Sequence, residues 1–96
     1  MIKAIIIDDE RLARKELTSL LKKHDDIDII DEASNVDEAV EKILAQKPEL
    51  LFLDIQMPEK TGFDLLELLP TVPKVIFTTA YDEFALKAFD ANALDY

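Results

Sequence analysis

The chain has 96 residues, with 21 Asp or Glu against 11 Lys or Arg, so its formal net charge is -10. This length fits one small domain, a hydrophobic fraction of 49% is enough for a core, and the lack of Cys excludes disulfides and thiolate metal sites. The acidic balance argues against direct binding of nucleic acid or a membrane surface, and the apolar runs are too short for a membrane span or a signal peptide, so we expect a cytoplasmic domain.

The first half of the chain alternates predicted strands and helices. Residues 5–7 form an apolar run that is too short for a helix and predicts a strand buried on both faces. Residues 27–33 predict a second strand, whose acidic side chains favour the edge of a sheet. Helical spacing flanks that strand, first at Ala13, Leu17, Leu20 and Leu21 and then at Val36, Ala39, Val40, Ile43 and Leu44.

The start of the second helix carries a capping signal. Asn35 or Ser34 can accept a hydrogen bond from a backbone N–H there, and Asp37 and Glu38 in the first turn suit the positive end of the helix dipole. The sequence therefore predicts that this helix begins close to residue 36.

The second half of the chain repeats the alternation. Residues 50–53 and 75–77 predict two further buried strands, separated by a short apolar segment over residues 63–69. A helix is predicted to begin at Asp82 or Glu83, and residues 93–96 begin a fifth strand.

Strands that alternate with helices predict an α/β fold with a parallel sheet and helices on both of its faces. We expect one domain over residues 1–96, with a flavodoxin-like, doubly wound strand order of 2-1-3-4-5 that is truncated in strand 5. This order puts the acidic second strand at an edge. Sheets of this kind bind ligands beyond the carboxyl ends of the strands where the order reverses, here between strands 1 and 3.

The residues that follow the buried strands carry the chemistry. Asp8 and Asp9 follow strand 1, Asp54 follows strand 3 and Thr79 follows strand 4, so all four are expected at one edge of the sheet. Crowded carboxylates repel each other unless a cation offsets the repulsion, and oxygen ligands of this kind favour Mg²⁺. A carboxylate beside Mg²⁺ can also act as a nucleophile and form an aspartyl phosphate. Taken singly, each aspartate could instead cap a helix or solubilise a loop.

These residues resemble the receiver domain of two-component response regulators, and the likeness covers all 96 residues. It rests on Asp8-Asp9, Leu53-Asp54-Ile55-Gln56-Met57-Pro58, Gly62, Thr79-Ala80 and Leu94-Asp95-Tyr96. Asp8-Asp9-Glu10 and residues 78–82, 85–89 and 92–96 are similar, more narrowly, to receivers of the LytTR transcription-factor class. The resemblance implies the CheY-like form of the flavodoxin-like fold and a signalling domain rather than an enzyme.

The resemblance also implies a role for each acid at this edge. Asp54 would accept a phosphoryl group from a sensor histidine kinase. Mg²⁺ would be bound directly by Asp9, Asp54 and the backbone carbonyl of Gln56, and by Asp8 through water.

A further set of residues would convert phosphorylation into a change of shape. The resemblance makes Thr79 and Tyr96 the switch residues and places Ala80 and Met57 next to the phosphoryl group. The surface of helix 4 and strand 5 would change and would control a transcriptional output.

Other features implied by the resemblance lie past residue 96. Receivers carry a Lys just after the switch aromatic and then a fifth helix, so this sequence contains no catalytic Lys. A DNA-binding output domain is expected in the intact protein, so this domain itself would not contact DNA. Without the fifth helix, apolar surface of strands 1 and 3 is expected to be exposed and to favour a homodimer or other self-association.

Two other functions stay open from the sequence. The domain could be a phosphorylation-independent interaction scaffold, which the missing Lys favours and the intact acids and Thr79 oppose. It could also be an aspartate-nucleophile phosphohydrolase of the haloacid dehalogenase type. That family has a second Asp two positions after the nucleophile, where this sequence has Gln56.

The basic residues near the first helix have a simpler interpretation. Arg11, Arg14, Lys15, Lys22 and Lys23 are expected to form a solvated face, with docking of an acidic kinase as the alternative. His24 is expected to end the same helix as an exposed residue.

Overall fold

The computed structural model describes residues 1–78. They form four strands, β1 (Ile2–Ile7), β2 (Ile27–Ala33), β3 (Leu50–Leu53) and β4 (Lys74–Phe77). Three helices connect them, α1 (Arg11–Leu21), α2 (Val36–Gln46) and α3 (Gly62–Leu68). In this part of the chain, no helix has the length and apolar character needed to cross a membrane.

All four strands pair in parallel in the order β2-β1-β3-β4. The predicted flavodoxin-like order is therefore confirmed for these strands, and the acidic β2 lies at an edge as expected. The predicted fourth helix and fifth strand lie outside the described residues.

The carboxyl ends of the strands are aligned. Ile7 at the end of β1 pairs with Ala33 of β2 and with Leu53 of β3, and Leu53 pairs in turn with Phe77 of β4. The residues that come next in the chain therefore emerge at one edge of the sheet, with β1 and β3 side by side at its centre.

Apolar side chains cover both faces of the sheet because alternate residues of a strand point to opposite faces. The larger cluster joins strand residues to α2 and α3, and it includes Ile5, Ile7, Leu51, Leu53, Val75, Phe77, Ala39, Ile43, Leu65 and Leu66. The smaller cluster consists of Ala4, Ile6, Leu50 and Phe52, against which Leu17 and Leu21 of α1 pack. The two clusters pack on opposite faces of the sheet and so fix the position of the edge at which the carboxyl ends of the strands lie.

The prediction that β1 and β3 expose apolar surface is wrong. The four strand residues of the smaller cluster are no more than 6% exposed. They are covered because side chains of α1 and neighbouring isoleucines, including Ile27, Ile29 and Ile76, pack against them. The expectation of self-association loses the exposed surface on which it was based.

The helices follow the predicted periodicity with two corrections, one to their buried stripes and one to the end of α1, and the predicted cap of α2 is confirmed. Leu20 is 53% exposed and Leu44 is 50% exposed, so neither belongs to the buried stripe of its helix. Helix α1 ends at Leu21, and His24 lies beyond it as an exposed residue whose backbone N–H donates to the carbonyl of Leu21 at 2.9 Å. Asn35 is the cap of α2, because its Oδ1 accepts the backbone N–H of Glu38 at 2.8 Å.

Candidate functional site

The backbone holds Asp8 and Asp54 in place just past the ends of two central strands. The N–H of Asp8 donates to the carbonyl of Ala33 at 3.1 Å, and the N–H of Asp54 donates to the carbonyl of Ile7 at 2.9 Å. These bonds extend the strand pairing by one residue. The backbone of both aspartates is therefore held by the sheet, although the two residues lie just outside the strands.

Three carboxylates meet at this edge. One carboxylate oxygen from each of Asp8, Asp9 and Asp54 lies within 4.8 Å of the others. The predicted convergence of these three acids is confirmed. We call them the acidic triad.

Local hydrogen bonds orient two members of the acidic triad. Oδ1 of Asp8 accepts the backbone N–H of Glu10 at 2.9 Å, and Oδ1 of Asp54 accepts the backbone N–H of Gln56 at 3.2 Å. In both cases the side chain binds the backbone two residues further on, as aspartate does in tight turns. The backbone of Gln56 is thereby held beside the carboxylate of Asp54.

The surroundings of Asp8 and Asp54 destabilise the ionised forms of these two carboxylates. Burial, followed by the charge of Asp8, raises the pKa of Asp54 from 3.8 to about 6, with a smaller contribution from Asp9. Burial is also the main cause that raises the pKa of Asp8 above 3.8. At neutral pH Asp54 is ionised, but its charge is less stable than that of an isolated carboxylate.

The donor set of the acidic triad fits Mg²⁺. All its side-chain donors are oxygens, which hard cations prefer, and three close carboxylates provide the negative charge that a divalent cation would offset. Mg²⁺ characteristically combines one or two carboxylates with water and phosphate oxygens, which suits a cluster at an open edge of a sheet.

The only glycine of the chain lies directly behind Asp54. Gly62 begins α3, and its N–H donates to the carbonyl of Ile55 at 2.9 Å. A Cβ at this position would lie 2.8 Å from the carbonyl oxygen of Asp54 and 3.0 Å from the Cα of Ile55. The lack of a side chain therefore lets α3 pack against the backbone that carries Asp54.

A polar cleft opens beside the acidic triad. It has a volume of about 410 Å³ and lies between the start of α2 and the loop that follows β3, with Asp9 in its lining. Lys60 Nζ donates to Oδ1 of Asp37 at 2.8 Å and so joins the two sides. This pair is exposed, and we expect it to contribute little to stability.

The other predicted site residues have different positions. Met57 is 6% exposed and belongs to the larger apolar cluster, which agrees with a loop-filling side chain. Its place next to a phosphoryl group stays a prediction. Thr79, Ala80 and Tyr96 lie outside the described residues.

The sequence interpretation missed Arg14. It was assigned to a solvated basic face, but its Nη1 donates to the backbone carbonyl of Asp8 at 2.7 Å, and its Nε donates to Oε1 of Glu32 at 3.0 Å. One signal was available: parallel pairing of β1 with β2 places an acid, Glu32, close to the end of β1. The helical position of Arg14 relative to that acid could be known only after packing.

Comparisons with known proteins agree with this geometry. The model of the response regulator receiver domain family matches residues 4–96. An uncharacterized response regulatory protein of Vibrio cholerae is 51% identical over 98 residues, which cover 100% of this chain and 41% of that protein. The sensory transduction protein LytT of Bacillus subtilis is 46% identical over 99 residues, again with 100% of this chain and 41% of the relative covered. The chain thus spans about two fifths of the length of these relatives.

Solved structures show the same architecture. The response regulatory domain of protein mrkE from Klebsiella pneumoniae superposes with a TM-score of 0.88 at 32% identity, over 99% of this chain and 80% of that one. One chain of the crystal structure of the P1 domain of CheA3 in complex with CheY6 from R. sphaeroides superposes with a TM-score of 0.83 at 28% identity, over 98% of this chain and 78% of that one.

Proposed function

This chain belongs to the response regulator receiver domain family, and from that membership we propose that it is the phosphoacceptor switch of a two-component system. Asp54 receives the phosphoryl group from a sensor histidine kinase. The observation that carries the proposal is the acidic triad, in which Asp54 lies with Asp8 and Asp9 at the carboxyl edge of the central strands.

We propose that Mg²⁺ is held by Asp9, Asp54 and the backbone carbonyl of Gln56, with Asp8 acting through water. When bound, the ion supplies positive charge that offsets both the carboxylates and the oxygens of the transferred group. The close approach of three carboxylate oxygens and the raised pKa of Asp54 support this assignment.

The protein's own contribution to the reaction is mainly the position of Asp54. A carboxylate oxygen of Asp54 attacks the phosphorus of the donor, the bond between phosphorus and the donor breaks, and its electron pair leaves with the donor group. The N–H of Gln56 holds the other end of the carboxylate at Oδ1, and the sheet fixes the backbone through the bond to Ile7. Such positioning removes much of the entropic cost of the transfer.

The charge requirement of this step matches the electrostatics of the site. Asp54 must be ionised to attack, and a pKa of about 6 leaves it ionised at neutral pH. Burial is the main cause of the raised pKa, and the negative charges of Asp8 and Asp9, which add to it, also favour binding of a cation. Transfer is therefore expected to depend on Mg²⁺, whose positive charge would favour the ionised form of Asp54.

The family resemblance is the basis for the proposed response of the domain to phosphorylation. Thr79 would bond the phosphoryl oxygens, Tyr96 would change rotamer, and Ala80 and Met57 would border the group. In the intact protein the changed surface would control a DNA-binding output domain beyond residue 96. The partner would be a sensor histidine kinase, in the cytoplasm.

A phosphodonor assay tests the proposal and separates it from its alternatives. The intact protein is incubated with acetyl phosphate and Mg²⁺, and its mass is followed with time. We expect an increase of one phosphoryl group per chain at most, which EDTA prevents. A matched variant, Asp28→Asn, removes an exposed acid of β2 and should behave as the wild type.

Two results would contradict the switch. No mass increase with Mg²⁺ present would favour a phosphorylation-independent scaffold. Sustained hydrolysis of a phosphate ester over many turnovers would favour the phosphohydrolase instead.

A further inference from the structure

We propose that Arg14 is a positioning residue that aligns Asp8 and Asp9 for binding of Mg²⁺. This inference rests on the proposed function, because it concerns the same metal site. It assigns a role in that site to a residue of α1 that lies outside the acidic triad.

The contacts of Arg14 connect three elements. From the first turns of α1, Nη1 donates to the backbone carbonyl of Asp8 at 2.7 Å, just past the end of β1. Nε donates to Oε1 of Glu32 near the end of β2 at 3.0 Å. The side chain of Arg14 is only 16% exposed, so these bonds are shielded in part from competing water.

The carbonyl that Arg14 holds belongs to the peptide bond between Asp8 and Asp9. A peptide unit is planar, so fixing its oxygen also fixes the direction of the N–H and Cα of the next residue. The N–H of Asp8 is already bonded to the carbonyl of Ala33. That N–H belongs to the preceding peptide unit, so the peptide units on both sides of the Asp8 Cα are held by hydrogen bonds. This restraint limits the directions that the carboxylates of Asp8 and Asp9 can take beside Asp54.

The geometry needs a guanidinium group. Its planar fork presents Nε and Nη1 in a fixed relation, so one side chain can bond Glu32 and the carbonyl of Asp8 together. Glu32 in turn fixes the orientation of the fork. An ammonium group at position 14 would keep the charge but would lose this pair of directed bonds.

Two possible effects of Arg14, its positive charge and its positioning of the carboxylates, predict opposite changes in Mg²⁺ affinity when the side chain is removed. A nearby cation repels Mg²⁺, so an effect of charge alone would make binding tighter when Arg14 is removed. A positioning effect would make binding weaker, because the carboxylates would sample directions that do not face the ion. The loss of such a supporting contact in a metal site typically costs about 10- to 100-fold in affinity.

The test is the Mg²⁺ affinity of the purified protein, measured by titration calorimetry for the wild type, Arg14→Ala and Arg14→Lys. Lys15→Ala is the matched control, because it removes one positive charge from an exposed neighbour that makes no ion pair within residues 1–78. We expect about tenfold weaker binding for Arg14→Ala, weaker binding also for Arg14→Lys, and binding within about twofold of the wild type for Lys15→Ala.

Thermal unfolding in EDTA separates positioning from general stability. A merely structural role would lower the melting temperature of the Arg14 variants and leave the Mg²⁺ affinity of the folded protein unchanged. If Arg14→Ala does not fold, the Mg²⁺ affinity of Arg14→Lys alone tests the proposal.

The inference is overturned if Arg14→Ala binds Mg²⁺ as tightly as Lys15→Ala or more tightly, or if Arg14→Lys matches the wild type. In either case the wild type still binds Mg²⁺ and the proposed function stands. A wild type that binds no Mg²⁺ would instead overturn the proposed metal site, and the role of Arg14 with it.

Discussion

Replacing Gly62 with Ala should lower the free energy of unfolding by about 2–3 kcal/mol. The new Cβ would meet the carbonyl oxygen of Asp54 at 2.8 Å, the Cα of Ile55 at 3.0 Å and the Cγ of Leu53 at 3.1 Å. Two of these atoms are backbone and cannot turn away, so α3 or the segment after β3 must move. The gain from placing Ala in a helix is about 1 kcal/mol and is smaller than this cost.

Urea denaturation of the wild type and of Gly62→Ala measures this difference. The control is Ser19→Ala, which places Ala at an exposed position of α1 and should change stability by less than about 0.5 kcal/mol. A Gly62→Ala protein as stable as the wild type would show that α3 does not pack against the Asp54 backbone as described.

Replacing Asp54 with Asn should stabilise the protein at pH 8 in EDTA. The pKa of Asp54 is raised from 3.8 to about 6, so the folded chain holds this proton more tightly than the unfolded chain does. The stability from that proton is fully present below about pH 3.8 and is lost as the pH rises through about 6. Asn keeps the shape and carries no charge, so it avoids this loss.

The size of the gain follows from the raised pKa. A change from 3.8 to about 6 is worth at most about 3 kcal/mol. Because Asp54 is only partly buried, solvent screening should reduce the gain to about 1–2 kcal/mol.

Unfolding free energies from pH 4 to 8 test this prediction. Between about pH 4 and 6 the wild type should lose more stability than Asp54→Asn, and Mg²⁺ at pH 8 should stabilise the wild type more than the variant. Asp28→Asn is the control and should follow the wild type. Parallel pH curves for the wild type and Asp54→Asn would contradict the electrostatic description of the acidic triad.

Much of the fold could be predicted because the sheet is buried on both faces. Apolar runs such as residues 5–7 and 50–53 have one explanation in a small α/β domain, and the acids of β2 identify an edge strand. Once the strands are parallel, their carboxyl ends meet at one edge, and the convergence of Asp8, Asp9 and Asp54 follows from chain order.

The parts that were missed depend on packing that periodicity does not contain. Leu20 and Leu44 have the spacing of buried residues, yet each is at least 50% exposed because its helix turns that position away from the sheet. The burial of Ile6 and Phe52 depends on how closely α1 and the neighbouring side chains cover them. The contacts of Arg14 likewise join three elements whose relative positions only the folded structure gives.

The site therefore has two levels of support. The sheet fixes the backbone of Asp8 and Asp54 through bonds that continue the strand pairing. Residues from the helices complete the arrangement, with Gly62 packed behind Asp54 and Arg14 bonded beside Asp8. Catalysis of phosphoryl transfer depends mainly on positioning the reacting groups and neutralising their charge. The sheet and the helices both contribute to the position of the carboxylates.

The most direct test of the central claim is to locate the phosphoryl group. After reaction of the intact protein with acetyl phosphate and Mg²⁺, the acyl phosphate is reduced with borohydride and the modified peptide is sequenced by mass spectrometry. We predict modification at Asp54 alone, lost in Asp54→Asn and retained in Asp28→Asn. Modification at any other residue, or unchanged phosphoryl uptake by Asp54→Asn, would contradict the claim that Asp54 is the phosphoacceptor.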